Sequence, residues 1–353
     1  MTEQPPTRDD LVGTWRHFSE AECKGYSPLY ERITLACAKN ADVMDFLLSL
    51  PTHAHQPNLL LAVMHERIIQ GLEPTLAPFY SGAATGDFGR LFVESVLASR
   101  DSLGPILSSR FTQTNEIGRV AIIAPALSVI PECEDITLID VGTSAGLTLQ
   151  LDDCFIDYGA HGSLGPIDGK VRVQAQVLSG HPPLRKVPIG RRIGLDRNIL
   201  NPSRPDDARW ILACVWPDTG RFERTRDALA LAATNPSELI EGDALETLPL
   251  LLSSLEGPVV ITTTWVAAYM NMEYRARFSA ELKAASQKRD IYWISVEAPG
   301  VVSHLPEVLP PEMDGPPPSV VGLVTFSRGQ VSDAHVLAHA HSHGAWIWWY
   351  DHS

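Results

Sequence analysis

The stretch ITLIDVGTSAGLTLQLDD, Ile136–Asp153, decides how the chain is read. It is either a nucleotide-cofactor loop or only a tight turn between a buried strand and a helix. The apolar run TLI ends in Asp140, and Gly142, Ser144, Ala145 and Gly146 make a loop of small side chains ahead of the helical run LTLQLDDCF. Small residues let a ligand approach the backbone, and the first turn of a helix offers unpaired N–H groups with a partial positive charge, fit for a carboxylate or a pyrophosphate. Close packing of strand on helix also requires small residues, so the loop alone leaves both readings open.

The strands that follow bear on the choice. Short β-rich runs, RRIGLDRN, SELIEGDA, GPVVITTTW and DIYWISVEAPG, alternate with helical runs such as DARWILACVW and FERTRDALALAAT. This is the pattern of βαβ units in a mostly parallel sheet with helices on both faces, and ligands of such sheets bind beyond the carboxyl ends of the strands at a switch point. The second strand ends in Asp196, placed either to accept from two ribose hydroxyls or to cap a helix over RNILNPS. The third reaches Asp243, placed either to accept from an adenine amino group, with Ala244 leaving room for the ring, or to cap LETLPLLLSSL. The fourth ends in Thr262–Trp265, where Thr264 and Trp265 would line the substrate side. Capping accounts less easily for three acids at three successive strand ends.

Upstream, SPLYERITLACAKNADVMDFLLSL and PNLLLAVMHERIIQGL place apolar residues three and four apart, with Ser27 or Pro28 at a helix start and Gly71 at a stop. The expected layout is an all-helical region over 1–110, then a sheet domain over 111–353. The segment KVRVQAQVLSG at 170–180 alternates as a strand and is expected inside an inserted hairpin near 160–188. After the Pro-rich loop LPEVLPPEMDGPPPS, the runs VVGLVTF, VSDAHVLAHAH and GAWIWWY are joined by short turns and predict an antiparallel ending, with SRGQ as a turn and Arg328 solvated.

Composition narrows the function classes. With 353 residues and 44% hydrophobic content a sizeable core is expected. The formal charge of −14, from 28 basic and 42 acidic residues, argues against phosphate-backbone binding, so nucleic acid is not an expected partner. No run approaches the roughly 18 apolar residues of a membrane span, and MTEQPPTRDD lacks the basic-then-apolar order of a signal peptide; a soluble cytoplasmic protein is expected, with no membrane partner. Cys23, Cys37, Cys133, Cys154 and Cys214 are odd in number and never spaced C-x-x-C, which fits buried reduced thiols rather than disulfides or a zinc knuckle.

In DVGTSAG, Asp140, Gly142 and Gly146 resemble the acid-x-Gly-x-Gly-x-Gly loop of the class I S-adenosylmethionine-dependent methyltransferases, with Ser144 in place of the middle glycine. The resemblance implies a Rossmann-like α/β core of that type, S-adenosylmethionine as cofactor and a small-molecule substrate. A ribose acid is expected about twenty residues after such a loop, whereas Asp196 lies 54 positions beyond Gly142; the inserted hairpin accounts for the excess. Through SPLYE, QTNEIGR, SAGLTLQLDD, GLDRN, VWPD, EGDALETLP and HGAWIWW, spread from Ser27 to Trp349, nearly the whole chain also resembles a bacterial family of unknown function with a methyltransferase-like fold.

The segment QTNEIGRVAIIAPAL puts Gln113, Thr114, Asn115, Glu116 and Arg119 on or just before a helix beside the cofactor crevice. In methyltransferases the equivalent segment often closes over the cofactor, so Asn115, Glu116 or Arg119 is expected to reach the methionine carboxylate, its amine or the substrate. The alternative is an ordinary helix start capped by Thr114 or Asn115. Glu297, ending IYWISVE, is a candidate general base if burial raises its pKa, and otherwise a solvated carboxylate. Tyr269 and Trp265 either frame a substrate or belong to a core stripe. His339, His341 and His343 alternate and would share one strand face. Metal chelation needs a completing acid or cysteine that the neighbourhood lacks, so a structural or substrate-facing set is favoured, with His343 on the substrate side and no metal expected. Methyl transfer from an activated sulfonium asks mainly for positioning, so the lack of an acid–base motif does not count against it.

Three hypotheses follow. The first is an S-adenosylmethionine-dependent methyltransferase for a small molecule, with the helical region covering or shaping the cleft. The second is a non-catalytic binding or scaffold protein on the same fold. The third is a nicotinamide-dependent oxidoreductase, disfavoured because DVGTSAG lacks G-x-G-x-x-G spacing.

Overall fold

The computed structural model describes residues 6–313 and 317–351; part of the Pro-rich loop, 314–316, lies outside them. In chain order the helices are α1 (Arg8–Phe18), α2 (Pro28–Ala38), α3 (Ala41–Leu48), α4 (Pro57–Ile69), α5 (Ala77–Tyr80), α6 (Phe88–Ser109), α7 (Val120–Val129), α8 (Pro205–Cys214), α9 (Phe222–Thr234), α10 (Ala244–Ser254) and α11 (Met272–Ala285). The strands are β1 (Ile136–Val141), β2 (Phe155–Asp157), β3 (Ser163–Leu164), β4 (Arg172–Gln174), β5 (Gln176–Ser179), β6 (Ile189–Asp196), β7 (Glu238–Glu241), β8 (Val259–Thr264), β9 (Ile291–Glu297), β10 (Ser319–Ser327), β11 (Gln330–Ala340) and β12 (Trp346–Trp349). The protein is α/β: an N-terminal helical region, then a large, mostly parallel sheet with an antiparallel C-terminal hairpin. Among the described residues no helix is long and apolar enough to cross a membrane.

The chain forms two compact units, one of residues up to Thr114 together with Arg204–Arg226, the other of Asn115–Ser203 and Asp227 onward. In the helical unit, α4 starts with Pro57 in its first turn and is buried nearly all round, and α8 packs on it. Ser27 caps α2 by accepting from the Tyr30 amide at 3.1 Å and itself donates to Asp218 at 2.6 Å, while Asp218 also accepts the Leu29 amide. The SPLYE and VWPD motifs therefore meet, and Trp216 of the second packs its ring 5.3 Å from Tyr30.

His65 of α4 is 4% exposed and donates from Nδ1 to the Ala213 carbonyl at 3.1 Å. Burial pushes its pKa down to about 4 from 6.5, outweighing the backbone bonds. A folded state that keeps the imidazole neutral has its full contribution above the unfolded pKa and loses it as pH falls through the folded value. We expect acid destabilisation between roughly pH 6.5 and 4, on the order of 3 kcal/mol, and expect it to be reduced in His65→Gln. Urea melts across that window check this; equal slopes for the two proteins would contradict it.

In the second unit, the nine-stranded sheet runs β5-β12-β11-β10-β9-β8-β1-β6-β7. The strands from β7 to β9 are parallel neighbours, β9 to β12 alternate antiparallel, and β5 lies parallel to β12. Strands β1, β8 and β9 are buried at every position, as sequence runs of Ile, Val and Thr demand when both faces are covered. The core gathers Ile139, Ile193, Ile261 and Trp293 of the sheet with Leu248 of α10 and Phe278 of α11.

Four local expectations change. The run 170–180 is not one strand: the Ala175 amide donates to Asp157 in a small β3-β2-β4 sheet, and the next amide, Gln176, donates to Ala345 beside the large sheet. Period-2 alternation cannot reveal such a change of partner. The run after the loop is a 3₁₀ segment, Leu147–Asp153, kinked at Gln150, whose buried amide donates to Asn235 and Ser237. The α-helix expected directly after the loop is therefore not there. No helix follows Asp196, so it caps none; α8 starts only at Pro205. Of the three histidines only His339 lies in a strand, fully buried with Nδ1 2.8 Å from the Tyr350 hydroxyl. His341 and His343 sit in the following turn, where the His343 amide donates to His341 Nδ1.

Candidate functional site

The parallel strands bring their carboxyl ends to one edge of the sheet. The first five strands of this sheet's parallel part in chain order, β1, β6, β7, β8 and β9, stand in the spatial order third, second, first, fourth, fifth. The chain leaves β1 toward β6 and later returns to β8 on its other side. The edge beyond β1 and β8 is thus a topological switch point, where open α/β sheets bind ligands.

The loop after β1 is shaped by left-handed backbone at Gly142 (φ 78°), Ser144 (φ 54°) and Gly146 (φ 72°). Its amides tie it to β6: Gly142 donates to the Leu195 carbonyl at 2.8 Å and Ser144 to Asp196 Oδ2 at 2.8 Å. The other Asp196 oxygen accepts the Asn198 amide. From the segment before α7, Asn115 Nδ2 donates to the Thr143 carbonyl at 2.5 Å, while Asn115 Oδ1 is buried with no hydrogen-bond partner. Glu116, not Thr114 or Asn115, caps the short 3₁₀ turn Ile117–Arg119 by accepting the Gly118 amide. Ala145 is 2% exposed.

Asp140 does not face the edge as a free acid. Its oxygens accept from Thr262 Oγ1 and Thr148 Oγ1, each at 2.6 Å, and it is 3% exposed. Burial raises its pKa against those hydroxyls. It ties β1 to β8 and to the 3₁₀ segment. Asp243 caps α10 through the Leu245 amide, and it is also held by the Tyr274 hydroxyl at 2.8 Å and by an ion pair with Arg197. Ala244 begins α10 and is buried. Sequence reasoning misses the Tyr274–Asp243–Arg197 group as a unit, although GLDRN shows Arg197 beside Asp196.

On the other side of β1, Glu297 is 1% exposed, and its oxygens accept the amides of Val266, Ala267 and Ala268 at 3.0–3.2 Å. Burial raises its pKa and the three amides oppose the rise. It is not a solvated carboxylate: it holds the loop after β8. Sequence carries no sign of this, because the donors are main-chain groups. Trp265 in that loop has φ 57°, rare for a bulky side chain, and its Nε1 donates to Ser319 Oγ at 2.9 Å. Tyr269 is 85% exposed, outside any core stripe. Arg119 is buried, donating to the carbonyls of Thr264 and Ser342 and, at 3.4 Å, to Thr264 Oγ1. Ser342 and His343 belong to the β11–β12 turn, which the register Val320↔Glu297 and Ser319↔Ala340 carries to the same edge.

A small hollow of about 30 Å³ lies away from these strand ends, floored by Leu127, Leu151, Ile156 and Val187. It is room for a water or two, with Asp152, Arg185 and Lys186 also in its wall.

No curated protein and no solved structure matches the chain. Residues 13–349 match the family described as "Uncharacterized protein conserved in bacteria (DUF2332)", and the chain, matched over most of its length, belongs to that family.

Proposed function

We propose that the protein is an S-adenosylmethionine-dependent methyltransferase acting on a small molecule. The observation that carries this reading is the bond from the Ser144 amide to Asp196. It couples the small-residue loop after the first strand to the acid ending the second, at the switch point of a third-second-first-fourth-fifth sheet.

The residues fit such a cofactor. Gly142 and Gly146 are packed against the protein's own Val266 and Leu239, so the loop would serve through its turn and its tie to Asp196, and Asn115 offers a buried, unpartnered Oδ1 suited to an ammonium donor. Asp196 would take the ribose hydroxyls, and Asp243 with Ala244 the adenine edge. When bound, the sulfonium group supplies an already activated methyl donor, so the chain's work is to hold the acceptor in line and keep water out. Thr264, Trp265 and His343 would bound the acceptor, and exposed Tyr269 stands on the same post-β8 loop as a frame for it. Glu297 acts as a positioning residue, fixing the amides of that loop, and not as the base.

A non-catalytic binding protein on this fold is the second reading, favoured by one observation: the Asp243 carboxylate is already engaged by Leu245, Tyr274 and Arg197. Thermal melts separate the two readings. S-adenosylhomocysteine at about 100 times its Kd should stabilise the native protein by about 2.7 kcal/mol, a shift of roughly 4 °C for 353 residues, and Asp196→Ala should abolish the shift while still folding. An unmoved melt in the native protein would refute the methyltransferase reading.

A further inference from the structure

We propose that Arg119 seats a carboxylate on the molecule being acted on, so that the methyl acceptor is a small organic acid. The word acceptor rests on the methyltransferase reading; the anion seat does not.

Arg119 is 6% exposed, and its three hydrogen bonds go to neutral groups: Nε to the Ser342 carbonyl at 3.0 Å, Nη1 to the Thr264 carbonyl at 2.9 Å and to Thr264 Oγ1 at 3.4 Å. Among the described residues Nη2 has no hydrogen-bond partner, and no carboxylate lies within 4.0 Å ion-pair reach of the guanidinium. Glu116, Glu297 and Asp140 act on it only through their field, and burial lowers its pKa. The Glu297 carboxylate is taken up by three amides and that of Asp140 by two hydroxyls. A buried cation without a direct counter-ion is costly unless something pairs with it, and the planar guanidinium is the side chain best matched to carboxylate geometry.

The seat is rigid. The turn carrying Ser342 is pressed on the Ile117–Arg119 turn so closely that a Cβ at Gly344 (φ 79°) would lie 2.0 Å from the Gly118 carbonyl oxygen. Trp265, held in a left-handed conformation beside Thr264, adds the strain that collects at ligand clamps. Asp196, which ends β6, and Asp243, which follows β7, lie on one side of β1, whereas Arg119 is bonded to the end of β8 and to the β11–β12 turn on the other. That division gives Arg119 to the acceptor half rather than to the donor's own amino-acid carboxylate.

Calorimetric titration of formate, acetate and benzoate, each against its neutral amide, and of S-adenosylhomocysteine tests this in the native protein, Arg119→Gln and Arg119→Lys. The expected result is at least one acid bound tenfold or more tighter than its amide by the native protein. Arg119→Gln should lose the preference, Arg119→Lys should keep part of it, and S-adenosylhomocysteine affinity should stay within threefold in both variants. Equal binding of every acid and its amide by the native protein overturns the proposal without recourse to a variant. So does an Arg119→Gln protein that loses S-adenosylhomocysteine and keeps the acid preference. An acid preference that depends on Arg119, in a native protein that fails to bind S-adenosylhomocysteine, upholds the seat and removes the donor reading.

Discussion

Gly142→Ala should cost about 3 kcal/mol of stability and lower the melting temperature by about 4 °C for a chain of 353 residues. Gly142 has φ 78°, and a Cβ there would lie 2.2 Å from Val266 Cγ2 and 2.7 Å from Val266 Cβ. The second atom is bonded directly to the backbone, so rotating the valine cannot relieve the clash. The strain has two parts: about 1–2 kcal/mol for an L-residue in left-handed backbone and about 1–3 kcal/mol for overpacking. Gly257→Ala separates them, because Gly257 has φ 72° and a methyl group added there would meet nothing within 4 Å. It should lose only the first part. Equal losses from the two substitutions, measured by urea denaturation, would show that the Val266 contact does not hold the loop.

Glu297→Ala should be the more damaging of two substitutions at that position. It strips the acceptor from the amides of Val266, Ala267 and Ala268 and should cost on the order of 4 kcal/mol, since each buried donor left unpaired costs about 1–3 kcal/mol. Glu297→Gln keeps one acceptor oxygen but turns an NH₂ toward an amide donor, and should lose about half as much. The pH dependence has a fixed sign. Burial, the dominant cause, raises the Glu297 pKa above 4.5 in the folded state. Its contribution is therefore full below the unfolded pKa and declines as pH rises through the folded one. The native protein's advantage over Glu297→Gln should shrink from about pH 4 toward neutrality. Asp140, raised by burial as well, titrates in the same direction but is common to both proteins and cancels. An advantage that grows with pH would contradict the assignment.

The strands of the large sheet are legible in the sequence because their burial is written locally. VVITTT and IYWISVE are uninterrupted β-formers that the fold buries at every position, and SRGQ places Arg328 (φ 51°) and Gly329 (φ 73°) in the two-residue turn between β10 and β11. Boundaries that depend on distant partners are not legible. Nothing within KVRVQAQVLSG says that Ala175 and Gln176 bond to different sheets, and nothing in LTLQLDD says that Gln150 is drawn toward Asn235 and Ser237. The segment DARWILACVW looks like any crossover helix, yet it groups with the helical unit against α4. At the edge, residue types are readable and their engagements are not. The acids of DVGTSAG, GLDRN and EGDALE do stand at three successive strand ends, but one is closed by threonines, one is bonded to the loop, and one is paired with Arg197. Glu297 is visible as a carboxylate ending a buried strand. That three backbone amides claim it depends on the path of residues 265–268, which no side-chain pattern encodes.

Calorimetric titration of S-adenosylmethionine and S-adenosylhomocysteine into the native protein asks without intermediaries whether the loop after β1 is a cofactor loop. A single site with micromolar affinity is the expected result. Absence of heat at millimolar ligand, with the protein folded by circular dichroism, would contradict the cofactor reading and leave Gly142–Gly146 as a tight turn.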